Sequence, residues 1–135
     1  MDTGQLTEAD CRKWLDCYKQ AWEFQDPEAV GVIFSPDASY RENRFGIPLR
    51  GVDEIRDYWR RTVCEFQHDV KFGHDLWGVR GDQCIATWRC SFEWRPINGM
   101  IEIDGMFRLT FSAQRNADGI PLCQVFEEWY ENHEL

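Results

Sequence analysis

The chain has 135 residues, a formal charge of −9 and a hydrophobic content of 43%. A chain of this length fits one domain with one proper core, so we treat residues 1–135 as a single domain. The negative charge argues against nucleic acid or a membrane surface as a partner, because both are bound mainly through Lys and Arg. No apolar run is long enough to span a bilayer and the polar start does not resemble a secretory signal, so we expect a cytoplasmic protein.

Aromatic and cysteine residues set further bounds. Seven Trp, nine Phe and four Tyr make up 15% of the chain, which predicts either a large aromatic core or a cavity lined by rings. None of the six cysteines lies in a Cys-x-x-Cys motif or at zinc-finger spacing, so we expect reduced, structural thiols. His68 and His74 have no acidic partner at ligand spacing, and no phosphate-binding loop occurs, so we expect neither a metal nor a cofactor.

Three helices are predicted in the first half of the chain. Thr7 followed by Asp10 is close to a capping box and begins a helix of about 16 residues. Its apolar stripe has helical spacing and consists of Cys11, Trp14, Leu15, Tyr18, Ala21 and Trp22. Asp26 caps a short second helix, and Asp53 begins a third helix that carries both Tyr58 and Trp59.

Residues 36–51 lie between the second and third predicted helices. The pattern predicts a short strand from Ala38 to Glu42, followed by a loop containing Gly46 and Pro48. A carboxylate at such a position can be held out of bulk water, so Glu42 is the first candidate for chemistry. The alternative is a solvated charge paired with Arg41 or Arg44.

From residue 67 onward the hydrophobic period changes to two. Four long strands are predicted over residues 67–79, 83–95, 100–113 and 120–132. The short connections between them favour antiparallel neighbours. In the last strand, Glu127 and Glu128 are adjacent and must face opposite sides, but the sequence does not say which one points inward.

The third of these strands contains the second acidic candidate, Asp104. A bulge at Gly105 would place Asp104 on the same face as Phe107, whereas unbroken alternation would place it on the opposite face. We expect the bulge. The alternative reading of Asp104 is a surface carboxylate paired with Arg89 or Arg108.

These elements predict an α+β fold. Three N-terminal helices would pack on one face of a strongly curved, mainly antiparallel sheet. Three helices cannot fill such a sheet from end to end, so a pocket between helices and sheet is expected, and concave apolar spaces of this kind bind ligands. A small hydrophobic ligand is the expected partner.

Motifs along the whole chain resemble the nuclear transport factor 2-like superfamily, and most closely its SnoaL-like and ketosteroid isomerase-like branch. They are Tyr18, Asp26-Pro-Glu-Ala-Val, Ile33-Phe-Ser-Pro-Asp-Ala-Ser-Tyr40, Pro48-Leu-Arg-Gly51, Ile55-Arg-Asp-Tyr-Trp59, Ile103-Asp104-Gly105 and Glu127-Glu-Trp-Tyr130. The resemblance implies a cone-like α+β barrel with an internal pocket. It does not fix the function, because the superfamily includes isomerases, cyclases, dehydratases, epoxide hydrolases and binding modules without catalysis.

The ketosteroid isomerase pattern implies three catalytic residues. Glu42 would be the base that removes a proton next to a carbonyl group, while Tyr18 and a protonated Asp104 would donate hydrogen bonds to the oxygen. Without the resemblance, Tyr18 would count as an ordinary core residue. We expect the substrate to contact aromatic residues, namely Trp22, Tyr40, Tyr58, Trp59, Trp88, Phe92 and Phe107.

Two positions differ from the ketosteroid isomerase pattern. The base is Glu rather than Asp, and Asn43 rather than Pro follows it. The tyrosine that supports the site falls on Trp59, unless the alignment is shifted by one residue, in which case Tyr58 has that role.

Three functions are therefore compared. The first is an isomerase, cyclase or dehydratase that acts by acid–base catalysis on a small hydrophobic carbonyl compound. The second is a binding or dimeric scaffold module without turnover, and the third is a hydrolase, which needs Arg89 in the pocket. We also expect a homodimer through the outer sheet face, since Ile85, Ile101 and Ile103 would be exposed there.

Overall fold

The computed structural model describes residues 5–135. Over this range the chain forms three α-helices and six strands: α1 (Glu8–Glu23), α2 (Pro27–Gly31), β1 (Phe34–Arg41), β2 (Leu49–Arg50), α3 (Val52–Tyr58), β3 (Gln67–Arg80), β4 (Gln83–Trp94), β5 (Gly99–Arg115) and β6 (Pro121–Glu134). A π-helical segment, Trp59–Cys64, continues α3, and a 3₁₀ turn, Arg95–Ile97, joins β4 to β5. The predicted α+β architecture is confirmed. No helix in the described part of the chain is long and apolar enough to cross a membrane.

Helix α1 begins as the sequence predicts. The backbone N–H of Asp10 donates to the Thr7 hydroxyl over 3.0 Å, and the backbone N–H of Thr7 donates to the Asp10 carboxylate over 3.1 Å. These bonds satisfy two N–H groups that the first turn of a helix leaves without partners. The predicted apolar stripe is buried, and the Trp14 indole N–H donates to the Ile33 carbonyl oxygen over 2.8 Å, which ties α1 to the start of β1.

The six strands form one curved, open, mixed sheet in the order β2-β1-β6-β5-β4-β3. Every neighbouring pair is antiparallel except β1 and β6, which are parallel. Their last register pairs are Tyr40 with Phe126 and Arg41 with Glu127. Glu42 and Glu128 follow this last pair. Because side chains alternate between the two faces of a sheet, both glutamates face the same side as Tyr40 and Phe126. This parallel pair therefore directs two acidic residues toward the concave face.

The predicted bulge at Gly105 is wrong. The pairing of β5 with both β4 and β6 runs without interruption around Gly105, so alternation is preserved and Asp104 is exposed on the convex face. Gly105 itself faces inward, where a Cβ atom would lie 2.7 Å from the Trp88 ring and from the Trp129 carbonyl oxygen. Glycine is needed at this position for a close approach of the Trp88 ring, not for a change of face.

The same alternation corrects the predicted apolar patch. Ile101 and Ile103 are only 9% and 8% exposed because they lie on the concave face with Phe107. Of the three isoleucines, Ile85 alone is exposed. All six cysteines carry free thiols, and four of them are buried in the core.

Candidate active site in the cone cavity

A cavity of about 440 Å³ lies between the helices and the concave face of the sheet. This volume is within the range of small-molecule sites. Six of the seven residues predicted to contact substrate line the cavity, namely Trp22, Tyr40, Tyr58, Trp59, Trp88 and Phe92. The seventh, Phe107, is fully buried beneath the wall and packs against Trp88 with ring centroids 5.0 Å apart.

Glu42 lines the cavity directly after the end of β1. Burial raises the pKa of its carboxyl group above the ordinary value, and a hydrogen bond of 2.8 Å from the Tyr58 hydroxyl partly opposes that shift. The alternative of a pairing with Arg41 or Arg44 is wrong. Arg41 donates to the Gly46 carbonyl oxygen over 2.6 Å, and Arg44 donates to the Glu127 carboxylate over 2.6 Å. The carboxyl group of Glu42 is therefore held by a phenol and not by an arginine.

Helix α3 supplies the residue that supports Glu42. The sequence left Tyr58 and Trp59 as alternatives, and the hydrogen bond to Glu42 assigns this position to Tyr58. Trp59 starts the π-helical segment and is fully buried against Tyr18 and Trp22, with centroids 5.6 Å and 6.2 Å apart. Wider π-helical turns occur often at functional sites, and here the turn follows directly after Tyr58.

Two tyrosine hydroxyl groups form a pair in the cavity. Tyr18 on α1 and Tyr40 on β1 are both buried, and their hydroxyl oxygens are 3.2 Å apart. Burial raises the pKa of both phenols well above the ordinary value, so they stay protonated at neutral pH. When one hydroxyl donates to the other, the accepting group keeps its own proton, which is available to a bound molecule.

The sequence predicted that either Glu127 or Glu128 points into the cavity. The structure shows that it is Glu128. Glu128 is 5% exposed and lines the cavity, and burial, followed by the nearby Glu42, raises the pKa of its carboxyl group well above the ordinary value. Glu127 faces the convex side, where Arg108 at 2.9 Å and Arg44 at 2.6 Å lower the pKa of its carboxyl group. The signal in the sequence was Phe126, an apolar residue whose parity Glu128 shares.

Asp104 does not lie in this cavity. It is exposed on the convex face, in register with Arg89 and Glu131, so the predicted convergence of Asp104 with Glu42 and Tyr18 is wrong. Arg89 is exposed on the same outer side, so the hydrolase arrangement that needs it in the pocket is not formed. Both corrections have one cause, the uninterrupted alternation of β4 and β5.

The cavity wall has an unusual balance of charges. Among the described residues that line it, none is Lys, Arg or His, while Glu42, Glu128 and Glu134 are acidic. Residues 5–135 also contain no cluster of three or more His, Cys, Asp or Glu side chains with the arrangement of a metal site. The chemical groups that the cavity offers are therefore carboxyl groups, phenols and aromatic rings.

Comparisons with solved structures agree with this architecture. A type 2 LinA hexachlorocyclohexane dehydrochlorinase is 14% identical, with 94% of this chain and 87% of that chain covered at a TM-score of 0.76. A candidate scytalone dehydratase from Novosphingobium aromaticivorans is 10% identical, with coverages of 94% and 86% and a TM-score of 0.77. SalBIII, an epoxide hydrolase/cyclase-like enzyme in pyran ring formation of salinomycin, is 13% identical, with coverages of 95% and 98% and a TM-score of 0.76. At these identities the likeness establishes the fold alone.

The search of curated protein sequences gives no match. The model of the SnoaL-like domain family matches residues 12–118, which is most of the chain. This protein therefore belongs to the SnoaL-like family, within the nuclear transport factor 2-like fold.

Proposed function

We propose that this protein is a cofactor-independent acid–base enzyme that acts on a small hydrophobic carbonyl compound, as an isomerase, cyclase or dehydratase. The observation that carries the proposal is the Glu42 carboxyl group, which is partly buried in the wall of an aromatic cavity and held by the Tyr58 hydroxyl. A carboxylate with a raised pKa is a stronger base than one in water, and an apolar site keeps competing solvent away.

The proposed reaction begins when Glu42 removes a proton from the carbon next to the substrate carbonyl. Negative charge then develops on the carbonyl oxygen, and the Tyr18–Tyr40 pair donates a hydrogen bond to it. Tyr58 acts as a positioning residue, because it orients the Glu42 carboxylate without contacting the substrate proton. Protonated Glu42 returns the proton to another carbon, or a leaving group departs, depending on the substrate.

The relatives support this class of chemistry without fixing the substrate. The three solved structures are named as a dehydrochlorinase, a candidate scytalone dehydratase and an epoxide hydrolase/cyclase-like enzyme. Loss of hydrogen chloride or of water from neighbouring carbons includes removal of a proton, which is the step assigned here to Glu42.

Proton removal can be tested with β-tetralone, a small aromatic ketone with acidic α-protons. We expect the protein to accelerate deuterium incorporation in D₂O, followed by proton NMR, and the Glu42→Gln variant to lose about 10²-fold or more of that acceleration. Glu127→Gln is the matched control, because its side chain lies on the convex face. Exchange by the Glu42→Gln variant at the wild-type rate, or no acceleration by the wild type, would contradict the proposal.

A binding module without turnover is the second candidate. The position of Asp104 outside the cavity favours it, because the ketosteroid isomerase trio is then incomplete. This candidate predicts that the Glu42→Gln variant binds β-tetralone as tightly as the wild type and that neither protein accelerates exchange.

We further propose that the protein is a cytoplasmic homodimer. Six free thiols are in accord with a reducing compartment. The convex face carries exposed apolar side chains, among them Ile85, Met106 and Trp129, and covering them by a second copy would remove apolar surface from water.

A further inference from the structure

The acid–base mechanism proposed above assigns no role to the buried carboxyl group of Glu128 in the cavity. Glu128 is almost fully buried, yet no described side chain donates a hydrogen bond to it or forms an ion pair with it. Glu128 lines the cavity wall, and its carboxyl oxygens are not among the fully enclosed polar atoms of the described residues, so a molecule in the cavity can reach them. A buried carboxyl group without partners is unfavourable, so a bound molecule is the natural source of one.

The sheet register places Glu128 on the same face as a row that contains two aromatic residues. Trp88, Gly105 and Tyr130 form one row across β4, β5 and β6, and Glu128 lies two residues before Tyr130 on the same face. Because Gly105 has no side chain, the Trp88 ring can lie directly over the β5 backbone at Gly105. Trp22 closes the space from α1, with its ring centroid 5.6 Å from that of Trp88.

The charge of the wall selects the class of ligand. An anionic ligand would find no cationic partner, because the described lining contains acidic groups and no Lys, Arg or His. A neutral apolar ligand would leave the Glu128 carboxyl group without a partner. A cationic ligand would gain an ion pair with Glu128 and would also be attracted to the faces of the aromatic rings, which carry partial negative charge.

We propose that the cavity binds a small molecule that carries a positively charged amine, protonated or quaternary, with Glu128 as its counter-ion and the Trp88, Tyr130 and Trp22 rings around it. This inference rests on the proposed function in naming the substrate class for the same cavity. The two acidic residues then have separate roles: Glu128 holds the ammonium group, and Glu42 remains free to remove a proton from the apolar body of the substrate.

The test uses two probes of the same shape. Choline carries a quaternary nitrogen, and 3,3-dimethylbutan-1-ol has a carbon atom in its place and no charge. We expect choline to bind about tenfold more tightly or better, measured by isothermal titration calorimetry and by the change in tryptophan fluorescence. Equal affinity for the two probes, tighter binding of the alcohol, or no binding of choline up to millimolar concentrations would overturn the proposal.

Two variants assign the effect to Glu128. Glu128→Gln keeps the size of the side chain but cannot become anionic, so we expect the preference for choline to fall to within about twofold, while the affinity for the neutral alcohol is unchanged. Glu127→Gln changes the adjacent residue on the convex face and should retain the full preference. A preference that persists in Glu128→Gln would overturn the role of Glu128. If that variant fails to fold, the comparison of the two probes on the wild type still decides the ligand class.

The two proposals can fail separately. β-Tetralone is neutral, so its deuterium exchange reports on Glu42 and does not need an ammonium group. A wild-type protein that prefers choline but does not accelerate exchange would refute the enzyme alone. A wild-type protein that accelerates exchange but does not prefer choline would refute the ligand class alone.

Discussion

At the scale of single residues, a shift of one position in the chain separates two opposite environments. Glu127 and Glu128 are neighbours, but the first contacts two arginine side chains on the convex face and the second has none in the cavity. The arginine contacts lower the pKa of the Glu127 carboxyl group, whereas burial, followed by the nearby Glu42, raises the pKa of the Glu128 carboxyl group. The two residues are therefore a matched pair for measuring what burial does to an acid in this protein.

Replacement of Glu128 by Gln should change how stability depends on pH. The pKa of Glu128 is raised in the folded state, so the folded protein binds more protons than the unfolded one, and the wild type loses stability as pH rises above about 4.5 and through that raised pKa. The Gln variant cannot ionise. We expect it to match the wild type near about pH 4 and to be more stable at about pH 8, by urea denaturation.

Glu127→Gln should have the opposite sign in the same measurement. Its ion pairs lower the pKa in the folded state, so the stability they contribute is present above the ordinary pKa and lost as pH falls through the lowered value. The variant should be less stable than the wild type at about pH 8, by up to about 1 kcal/mol for a partly exposed pair.

For Glu128→Gln, a stability difference from the wild type that does not vary with pH would contradict a buried carboxyl group with a raised pKa.

Gly105 is the second residue whose environment makes a sharp prediction. A methyl group at this position would meet the Trp88 ring and the Trp129 carbonyl oxygen, so Gly105→Ala should reduce the free energy of unfolding by about 1–3 kcal/mol. Gly73→Ala on β3 is the control, because nothing lies within 4 Å of its added methyl group and the cost there should be within about 0.5 kcal/mol of zero. Equal effects of the two substitutions in urea denaturation would contradict the close packing of Trp88.

At the scale of elements, α1 is fixed at its first turn. Asp10 closes the capping box with Thr7 and also accepts two hydrogen bonds of 2.9 Å from the Arg115 guanidinium group. These contacts lower the pKa of Asp10 to about 2, mainly through Arg115. The start of α1 is thereby joined to the end of β5, which is far away along the chain.

Asp10→Ala should destabilise the protein by about 1–2 kcal/mol near neutral pH, because it removes the reciprocal cap and the contact with β5. The folded-state pKa is depressed, so this contribution is present above about pH 4 and is lost as pH falls toward about 2. Thermal unfolding over that pH range measures it. Gln20→Ala, on the exposed side of the same helix, should leave the stability nearly unchanged, and an equal loss there would contradict a specific cap.

The elements also show why most of the fold could be predicted. The cap and the stripe of α1 are local signals, and they gave its start and its length of 16 residues. The long strands followed from an alternating pattern that one buried face imposes. Strand β2 was not predicted, because two residues that pair only with β1 carry no periodicity of their own.

At the scale of the whole molecule, the convex face is the surface on which we expect a second copy to pack. Met106 is 40% exposed and lies on β5, the strand between β6 and β4. If a second copy covers this face, Met106→Glu should place a charge in the interface and convert the dimer to a monomer in sedimentation equilibrium.

Two controls accompany the assembly measurement. The Met106→Glu variant should keep its preference for choline, since the substitution lies outside the cavity. Phe24→Glu changes an exposed residue that follows α1 and should leave the assembly state unchanged. A wild-type protein that sediments as a monomer at about 100 μM would refute the dimer.

Periodicity, caps and strand ends lie in neighbouring residues, so the sequence alone predicted the elements, the layer of helices on a curved sheet, the cavity and the candidacy of Glu42. Tyr18 became a candidate only through the family resemblance, because the local pattern describes it as a core residue. Tertiary structure decided which acids share that cavity. The face of Asp104 depended on whether a bulge interrupted β5, and the face of Glu128 on the register of β6 with two strands far away in the chain. A change of one residue in such a register exchanges the two faces of a strand, so only the paired sheet could settle these positions.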